Sequence, residues 1–283
     1  MIVCIHHCDH DGWCSAAIVR SVFPNCKMIE MDYGRKAPFD QINEGDTVYM
    51  VDFCLEPIEE MVKLNDMCEL IWIDHHTSSI KEAARVNFNP EGLRIIGKSG
   101  CELTWEYLRS GKRIPTAVHF LGRYDVWDHS DPRILPFHYG MMLEDASPVN
   151  DILWNKLFSD DEKLLAHIMT RGAICYDYQM ALNKAYSEAH VFDVKIDGFR
   201  GIALNVARCS SLAFSDVWDP EKYDVMISFS YMPDSVSVSI YSDKPNIDVS
   251  EIALKYGGGG HVSASGFAFK TFDEFLIAVV PVQ

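Results

Sequence analysis

The segment MIVCIHHCDHDGWCSAAIVRSVF, residues 1–23, decides the fold class of this chain. Its first five residues form an apolar run typical of a buried strand, and residues 13–23 carry apolar side chains at the spacing of a helix. A short polar stretch separates the two. A strand followed directly by a helix is the first half of a β–α–β unit, the repeating element of parallel α/β sheets.

The residues that follow repeat this alternation. Further strands are predicted at CKMIEMDY, at 47–53 and at 70–74, and a helix is predicted to begin near Pro57, because proline suits the first helical turn. The strands are continuously apolar, as expected when both faces of a parallel sheet are buried. The N-terminal part is therefore predicted to be a mostly parallel sheet flanked by helices.

The pattern changes after this region. Residues 129–146 are rich in Pro, Asp and Gly and are predicted to be an irregular connection. Two helices are predicted next, at 149–158 and 161–189. The second carries apolar residues at roughly the helical period, and its length suits a bridge between domains.

After residue 190 apolar and polar residues alternate, which predicts strands at VFDVKI, IALNVA, DVMISFSY and SVSVSIYS. We expect these strands to form a smaller sheet, closed by helices near 249–256 and 271–278. The fold class predicted is α/β, in three parts: an N-terminal domain with the parallel sheet at 1–145, a helical linker at 146–189 and a smaller C-terminal α/β domain at 190–283.

The amino-acid composition is that of a globular protein without a membrane span. Of the 283 residues, 48% are hydrophobic and 23% are charged, as in ordinary globular domains. No run of 18 apolar residues predicts a membrane span, and the start lacks the basic region of a secretory signal. Nine scattered cysteines then indicate free thiols in a reducing compartment. We expect a cytoplasmic protein.

The net charge limits the partners. The chain has 25 Lys and Arg against 41 Asp and Glu, which gives −16. Such a field repels long duplex nucleic acid, whose binding depends on basic side chains. Small phosphate substrates are not excluded, since bound metal ions can reverse the local charge.

Acidic and histidine side chains follow three predicted strands, and a further aspartate follows a helical stretch. Ligands of open α/β sheets bind beyond the carboxyl ends of the strands. The spacing H-x-D-x-D also places three side chains on one side of an extended segment. Carboxylate and imidazole donors together favour Mn, Fe, Zn or Co over an all-oxygen magnesium cage. The expected ligands of a metal pair are His7, Asp9, Asp11, Asp52, His75 and Asp125.

Charge supports a metal site here. Four of the expected ligands are aspartates, which would repel one another and raise each other's pKa values. Two divalent cations would cancel those four charges. A single aspartate after a strand is usually a turn or helix-capping residue, but the coincidence at successive strand ends favours metal binding.

These motifs resemble those of the DHH phosphoesterase superfamily, and the resemblance covers nearly the whole chain. HCDHDGWCSA is similar to the first motif of that family, VDF to the second, IDHH to the third and RYDVWD to the fourth. SGCELTWEYL resembles the helix that follows the third motif. EIALKYGGGGHVSASGF resembles the glycine-rich signature of the C-terminal DHH-associated domain of the first type.

The resemblance implies a division of the ligands between two metals. One metal would be held by Asp11, Asp52, His75 and Asp125, and the other by His7, Asp9 and a bridging Asp52. His76 would lie near the scissile phosphate, and Asp74 would orient the histidines. The expected catalytic residues are therefore Asp52, Asp74 and His76. The cofactors would be two divalent ions, manganese first, with Mg, Co or Fe as alternatives, which activate water for in-line attack.

The glycine run near the C-terminus is the second candidate site. Consecutive glycines let the backbone approach a phosphate, and successive N–H groups form an anion-binding concavity. Helix capping alone would need only one glycine. The expected substrate contacts are Gly258, Gly259, Gly260 and His261. Relatives commonly carry an arginine where this chain has Tyr241, which can stack on a base instead.

Two other patterns are weaker. Residues 92–99, GLRIIGKS, satisfy the phosphate-loop pattern, but that motif needs a strand before its first glycine. Here the bulky run LRII itself reads as a strand, and Lys98 and Ser99 are expected to open a helix at 101–109. A zinc site at Cys4, Cys8 and Cys14 is not expected, because no second cysteine pair follows at ligand spacing.

The function predicted is two-metal hydrolysis of phosphoester bonds in small nucleotides. The resemblance is to the oligoribonuclease and cyclic-nucleotide phosphodiesterase branch, so the expected substrates are short oligoribonucleotides, cyclic nucleotides or 3′-phosphoadenosine 5′-phosphate. A polyphosphatase or pyrophosphatase, a non-catalytic nucleotide-sensing module and a long single-strand exonuclease are the alternatives. No long duplex nucleic acid and no membrane are expected as partners, and a homodimer is left open.

Overall fold

The computed structural model describes residues 1–282. It divides into two compact units, the first Met1–Tyr176 and the second beginning at Asp177. The elements that begin in the first unit are β1 (Ile2–His7), α1 (His10–Val22), β2 (Lys27–Met31), β3 (Thr47–Val51), α2 (Ile58–Met67), β4 (Glu69–Ile73), α3 (Thr77–Arg85), α4 (Gly100–Leu108), α5 (Thr116–Asp125), α6 (Ile134–Met141), α7 (Asp151–Phe158) and α8 (Glu162–His190).

The sheet of the first unit has four parallel strands in the order β2-β1-β3-β4. Alternate residues of β1 enter two different cores, since successive side chains of a strand point to opposite faces. Val3 and Ile5 pack in one cluster with Trp72, and Cys4 packs in another with Val51. The sheet is thus covered on both faces, which confirms the parallel α/β architecture expected from its apolar strands.

One segment of the first unit differs from the prediction. Residues 129–146, expected to be irregular, contain helix α6. Ile134, Phe137 and Met141 on this helix are buried in a core of helices, and their spacing is that of one helix face. Pro136 lies in the first turn of α6, where no backbone N–H is needed. The prediction was wrong because proline and glycine were weighted above this apolar period.

The segment at 93–96 is also not a strand. Within the described residues it forms only isolated bridges, in which Glu91 pairs with Ile71 and Arg94 pairs with Asp74. Ile95 and Ile96 are exposed, and a turn follows at Gly97. The apolar run predicted a strand, but only its first residues reach the backbone of β4.

The second unit holds a mixed sheet with more strands than the first, so the expectation of a smaller sheet was wrong. Its elements are β5 (Phe192–Ile196), β6 (Phe199–Asn205), β7 (Val225–Met232), β8 (Ser235–Tyr241), α9 (Val249–Lys255), β9 (Gly259–Gly260), β10 (Ala264–Phe269), α10 (Phe272–Ala278) and β11 (Val280–Pro281). The order is β11-β5-β6-β7-β8-β10-β9. The three strands that sequence analysis missed are β9, β10 and β11. Two of them are only two residues long, and Gly266 weakens the apolar signal of β10.

Helix α8 carries the division between the units. It has 29 residues, and the division at Asp177 falls inside the predicted linker at 146–189. The three-part division of the chain stays a prediction. Among the described residues, no helix combines the length and the apolar composition that crossing a lipid bilayer requires.

Candidate metal centre

Three parallel strands of the first unit end at one edge of its sheet, and predicted site residues stand at these ends. His7 is the last residue of β1, Asp52 follows β3 and Asp74 follows β4. The backbone of Asp52 has a φ of 52°, in the left-handed region that aspartate and asparagine enter more readily than most residues. This turn directs the carboxylate of Asp52 into the site.

The first group of donors surrounds one imidazole. The Nε2 atom of His75 lies 3.0 Å from Asp52 Oδ1, 3.2 Å from Asp125 Oδ2 and 3.6 Å from Asp11 Oδ2. The side chains of His75, Asp11 and Asp52 are each only 1% exposed. Three carboxylates therefore converge on a single nitrogen inside the protein.

The second group adjoins the first through Asp52. His7 Nδ1 lies 2.8 Å from Asp9 Oδ2. His7, Asp9 and Asp52 each offer a donor atom within 4.8 Å of the others. Asp52 thus lies between the two groups, where a bridging ligand would be. The structure brings all six predicted ligands together.

Backbone groups hold Asp11 in place. Its two carboxylate oxygens accept hydrogen bonds from the N–H groups of Gly100 and Cys101, at 2.7 and 2.8 Å. These N–H groups form the first turn of α4, where the helix dipole favours a negative charge. Sequence analysis placed a helix here but missed this contact, because the partners are about 90 residues apart in the chain.

Gly100 also gives Asp52 its space. A Cβ atom built on Gly100 would lie 2.5 Å from the Cβ of Asp52 and 2.8 Å from its Oδ1. Any side chain at this position would therefore displace the carboxylate. Gly100 is therefore required by the site.

Asp74 orients the two histidines of the DHH sequence. Its Oδ1 accepts hydrogen bonds from His76 Nδ1 and from the backbone N–H of His75, both at 2.7 Å. Burial opposes ionisation of Asp74, but the charge and hydrogen bond of His76 outweigh it and lower the pKa of Asp74 to about 2. Burial likewise opposes a charge on His76, and the Asp74 carboxylate still raises the pKa of His76. The two side chains are thus buried and hydrogen-bonded, and each favours the charged form of the other.

The other carboxylates are electrostatically strained. Burial, followed by repulsion from neighbouring carboxylates, raises the pKa values of Asp52 and Asp125 well above the usual range. Burial is also the main cause that raises the pKa of Asp11 to about 6. Asp52 Oδ2 is buried without a hydrogen-bond partner among the described residues. Asp52 Oδ2 thus lacks a hydrogen bond and lies among several carboxylates, which is the environment expected of a ligand to divalent cations.

Two residues beside this group were missed. Asp32 and Tyr33 follow β2 at the same sheet edge, and Asp32 Oδ1 lies 3.7 Å from His7 Nε2. The Tyr33 ring packs 5.5 Å from the ring of His7 and 5.0 Å from that of Phe53. The strand-end rule would have found both residues, had it been applied to β2.

The predicted substrate contacts all lie in the second unit. Gly259 and Gly260 form β9, which pairs with β10, and a Cβ on Gly258 would lie 2.0 Å from the carbonyl oxygen of Gly266. Tyr241 ends β8 and donates its hydroxyl to the carbonyl of Cys209 at 2.8 Å. Close packing inside this unit explains Gly258. A role of these residues and of His261 in substrate binding stays a prediction.

The segment 92–99 has contacts unlike those of a phosphate loop. A Cβ on Gly92 would lie 2.0 Å from the carbonyl oxygen of Trp72, so this glycine packs against β4. Lys98 pairs with Glu106 at 2.6 Å, and the hydroxyl of Ser99 caps α4. As expected, Lys98 and Ser99 open a helix.

Comparison with known proteins gives a family match for the N-terminal part. Residues 1–121 match the family model described as DHH family, N-terminal domain. A curated relative, the uncharacterized protein R106 of Acanthamoeba polyphaga mimivirus, is 28% identical over 233 residues. This match covers 78% of the chain, which spans about half, 53%, of the length of that relative.

Solved structures with the same fold include three informative ones. The DHH domain of a member of a family of ribosomal proteins aligns with a TM-score of 0.61 at 14% identity, covering 98% of this chain and 85% of that one. The pGpG-specific phosphodiesterase PggH of Vibrio cholerae gives 0.51 at 14%, covering 98% and 96%. RecJ of Thermus thermophilus, in complex with Mn2+, gives 0.51 at 15%, covering 97% and 50%.

Proposed function

Because residues 1–121 match the N-terminal domain of the DHH family, we propose that the chain is a phosphoesterase of the DHH superfamily that uses two divalent metal ions to hydrolyse small nucleotides. The convergence of Asp11, Asp52 and Asp125 on His75 Nε2, within 3.6 Å, is the observation that carries this proposal. RecJ, which shares the fold, is in complex with Mn2+, and manganese is the ion that we propose here.

The bound metal ions, His76 and Asp11 would have different roles in the reaction. When bound, the two ions would supply a water of lowered pKa and stabilise charge on the phosphate. His76, whose protonated form Asp74 favours by raising its pKa, would donate a hydrogen bond to a phosphate oxygen or to the leaving group. Asp11 is held by two N–H groups of α4, so its position is fixed before the substrate arrives, which favours catalysis.

We propose short oligoribonucleotides, cyclic nucleotides and 3′-phosphoadenosine 5′-phosphate as the substrate class, cleaved in the cytoplasm. The net charge of −16 disfavours long polyanions, whereas short ones can be held by the bound ions. PggH, which shares the fold, is a pGpG-specific phosphodiesterase. The glycine run of residues 257–260 would hold the end of the substrate that does not react.

A substrate panel tests this function. The purified protein is incubated with Mn2+ and, separately, with dinucleotides, RNA of a few nucleotides, cyclic nucleotides, 3′-phosphoadenosine 5′-phosphate and polyphosphate, and the products are separated by chromatography. We expect metal-dependent release of mononucleotides from at least one nucleotide, and no turnover once the metal is chelated. Turnover of polyphosphate alone, or binding of nucleotides without turnover, would contradict the proposal.

A variant of Asp74 gives a second test, which asks whether Asp74 orients His76 for the reaction. Replacing Asp74 with Asn keeps the size of the side chain but removes the charge that pairs with His76. Loss of a residue that orients metal-site side chains without binding the metal itself typically reduces metal affinity or activity about 10- to 100-fold. We expect a kcat reduced by that factor, measured by steady-state kinetics with saturating Mn2+. A kcat equal to that of the wild type would exclude an orienting role.

A further inference from the structure

We propose that a cavity beside the first turn of α1 binds the nucleobase of the substrate and prefers guanine. This assignment rests on the proposed phosphoesterase function. The cavity has a volume of about 420 Å³, within the ~300–1,000 Å³ typical of small-molecule sites and large enough for one nucleoside. Its lining residues include His10, Trp13, Met141 and Met142.

The cavity lies next to the metal centre along the chain. His10 stands between the predicted ligands Asp9 and Asp11, and Trp13 follows Asp11 by two residues. The rings of His10 and Trp13 lie 5.2 Å apart, as side chains spaced i and i+3 do. The backbone N–H of Trp13 donates to the carbonyl of Asp9 at 2.8 Å, and side chains spaced i and i+4 are neighbours on a helix, so Trp13 lies next to the predicted ligand Asp9. A phosphate at the ligands and a base against Trp13 are thus within the length of one nucleotide.

The lining suits a base and not a phosphate. Indole and thioether surfaces stack on the flat faces of bases, and no Lys or Arg is among the residues that line the cavity. Three carboxylates stand at its rim. Glu30 accepts a hydrogen bond from Trp13 Nε1 at 2.7 Å, and Glu144 pairs with Arg171 at 2.7 Å.

Asp145, the third carboxylate at the rim, gives the preference for guanine. Among the described residues, its side chain accepts only the backbone N–H of Ser147, at 3.2 Å, so one oxygen remains for a ligand. An ionised carboxylate only accepts hydrogen bonds. Guanine presents an N–H and an amino group side by side, which suit this acceptor, whereas the corresponding N–H of uracil lies between two carbonyl oxygens that a carboxylate repels.

The wall that carries Asp145 is fixed in advance. The side chain of Asn150 donates to the carbonyl of Asp145 at 2.8 Å, and Trp154 Nε1 donates to the carbonyl of Ser147 at 3.1 Å. Trp154 itself is buried in the helical core. A pocket that exists before binding costs little ordering entropy when its ligand arrives.

Calorimetric titration with guanosine and uridine tests the cavity without any catalysis. Both nucleosides lack phosphate, so the metal-free protein can be used. We expect tighter binding of guanosine, and a Kd for guanosine raised about 10- to 100-fold in Trp13→Ala, the range of base–aromatic stacking. Trp13→Phe keeps a stacking surface and should bind almost as the wild type does. Equal binding by wild type and Trp13→Ala, with both shown to be folded by thermal melting, would overturn the assignment.

Asp145→Asn tests the base preference on an exposed loop, where folding is not at risk. We expect the ratio of the guanosine and uridine affinities to fall by roughly ten-fold, as for loss of one paired hydrogen-bond contact. An unchanged ratio would overturn the role given to Asp145.

Kinetics then separate this inference from the proposed function. Trp13→Ala should raise KM for a guanine dinucleotide and leave the metal-dependent hydrolysis of methyl p-nitrophenyl phosphate, which has no base, unchanged. An equal effect on both substrates would overturn the base site. If the wild type hydrolyses neither substrate, the proposed function fails, while guanosine binding still decides whether the cavity takes a base.

Discussion

Asp52→Asn is expected to lose metal-dependent hydrolysis almost completely and, at the same time, to be more stable than the wild type without metal. Loss of an outer partner of a metal ligand already costs about 10- to 100-fold, so loss of a bridging ligand should reduce kcat/KM by more than about 100-fold. Asparagine is the informative replacement because it tolerates the φ of 52° at this position.

The gain in stability has an electrostatic cause. Burial and the neighbouring carboxylates raise the pKa of Asp52 above that of an unfolded aspartate. The folded chain therefore loses stability as the pH rises above the unfolded pKa of about 3.9, because unfolding then allows the carboxyl group to ionise. The difference between variant and wild type should therefore be smallest below about pH 4, where aspartate is protonated in the folded and the unfolded chain alike, and should grow as the pH rises. Each kcal/mol of relieved repulsion should raise Tm by about 2–4 °C at this size.

Metal addition should reverse the order of stability. The wild type should gain about 2.7 kcal/mol when the free Mn2+ concentration is 100 times the Kd, and Asp52→Asn should gain much less. Thermal melts with and without Mn2+, at several pH values, measure all of these effects. Asp66→Asn, an exposed change on α2, is the control and should behave as the wild type does. If Asp52→Asn keeps the full metal-induced rise in Tm, Asp52 is not a ligand.

Arg123→Met should be strongly destabilising. The side chain of Glu102 on α4 is only 6% exposed, and the guanidinium of Arg123 on α5 pairs with it closely. Without Arg123 the buried Glu102 carboxylate would keep only the imidazole of His119, at 3.3 Å, and breaking a buried ion pair typically costs about 3–5 kcal/mol. Urea denaturation would measure this loss as a lower free energy of unfolding.

This ion pair also joins two helices that carry parts of the metal centre. Glu102 lies two residues after Gly100, whose N–H holds Asp11, and Arg123 lies two residues before Asp125. We therefore expect Arg123→Met to weaken metal binding as well. The double variant Glu102→Gln, Arg123→Met removes both charges and should regain most of the stability.

A second ion pair on the same helix provides the matched control. Lys98 and Glu106 pair at 2.6 Å, but their side chains are 41% and 34% exposed. Breaking this pair with Lys98→Met should cost no more than about 1 kcal/mol, because exposed ion pairs are screened by water. Equal losses in Lys98→Met and Arg123→Met would show that burial of Glu102 has no special effect.

Much of the candidate site followed from local sequence because it depends on strand ends. Apolar strands predict a parallel sheet, and a parallel sheet brings His7, Asp52 and Asp74 to one edge whatever the helices do. The same rule applied to β2 would have added Asp32. Helix α6 was missed because its apolar period competes with Pro136 and Gly140, and tertiary burial of Phe137 decided the outcome.

Other features depend on partners that are distant in the chain. The N–H groups of Gly100 and Cys101 that hold Asp11, and the pair formed by Glu102 and Arg123, join helices whose relative position no local pattern encodes. The cavity beside Trp13 exists because a loop after α6 packs near α1.

Hydrophobic periodicity places the strands, and the strands place the edge of the sheet, so the amino-acid order alone indicates which residue types stand at which strand ends. Only the tertiary structure decided the distances between these side chains, the burial that raises the pKa values of Asp52 and Asp125, and the backbone groups that hold Asp11. The physical reason is that desolvation and hydrogen bonding at short range depend on atoms brought together from separate parts of the chain.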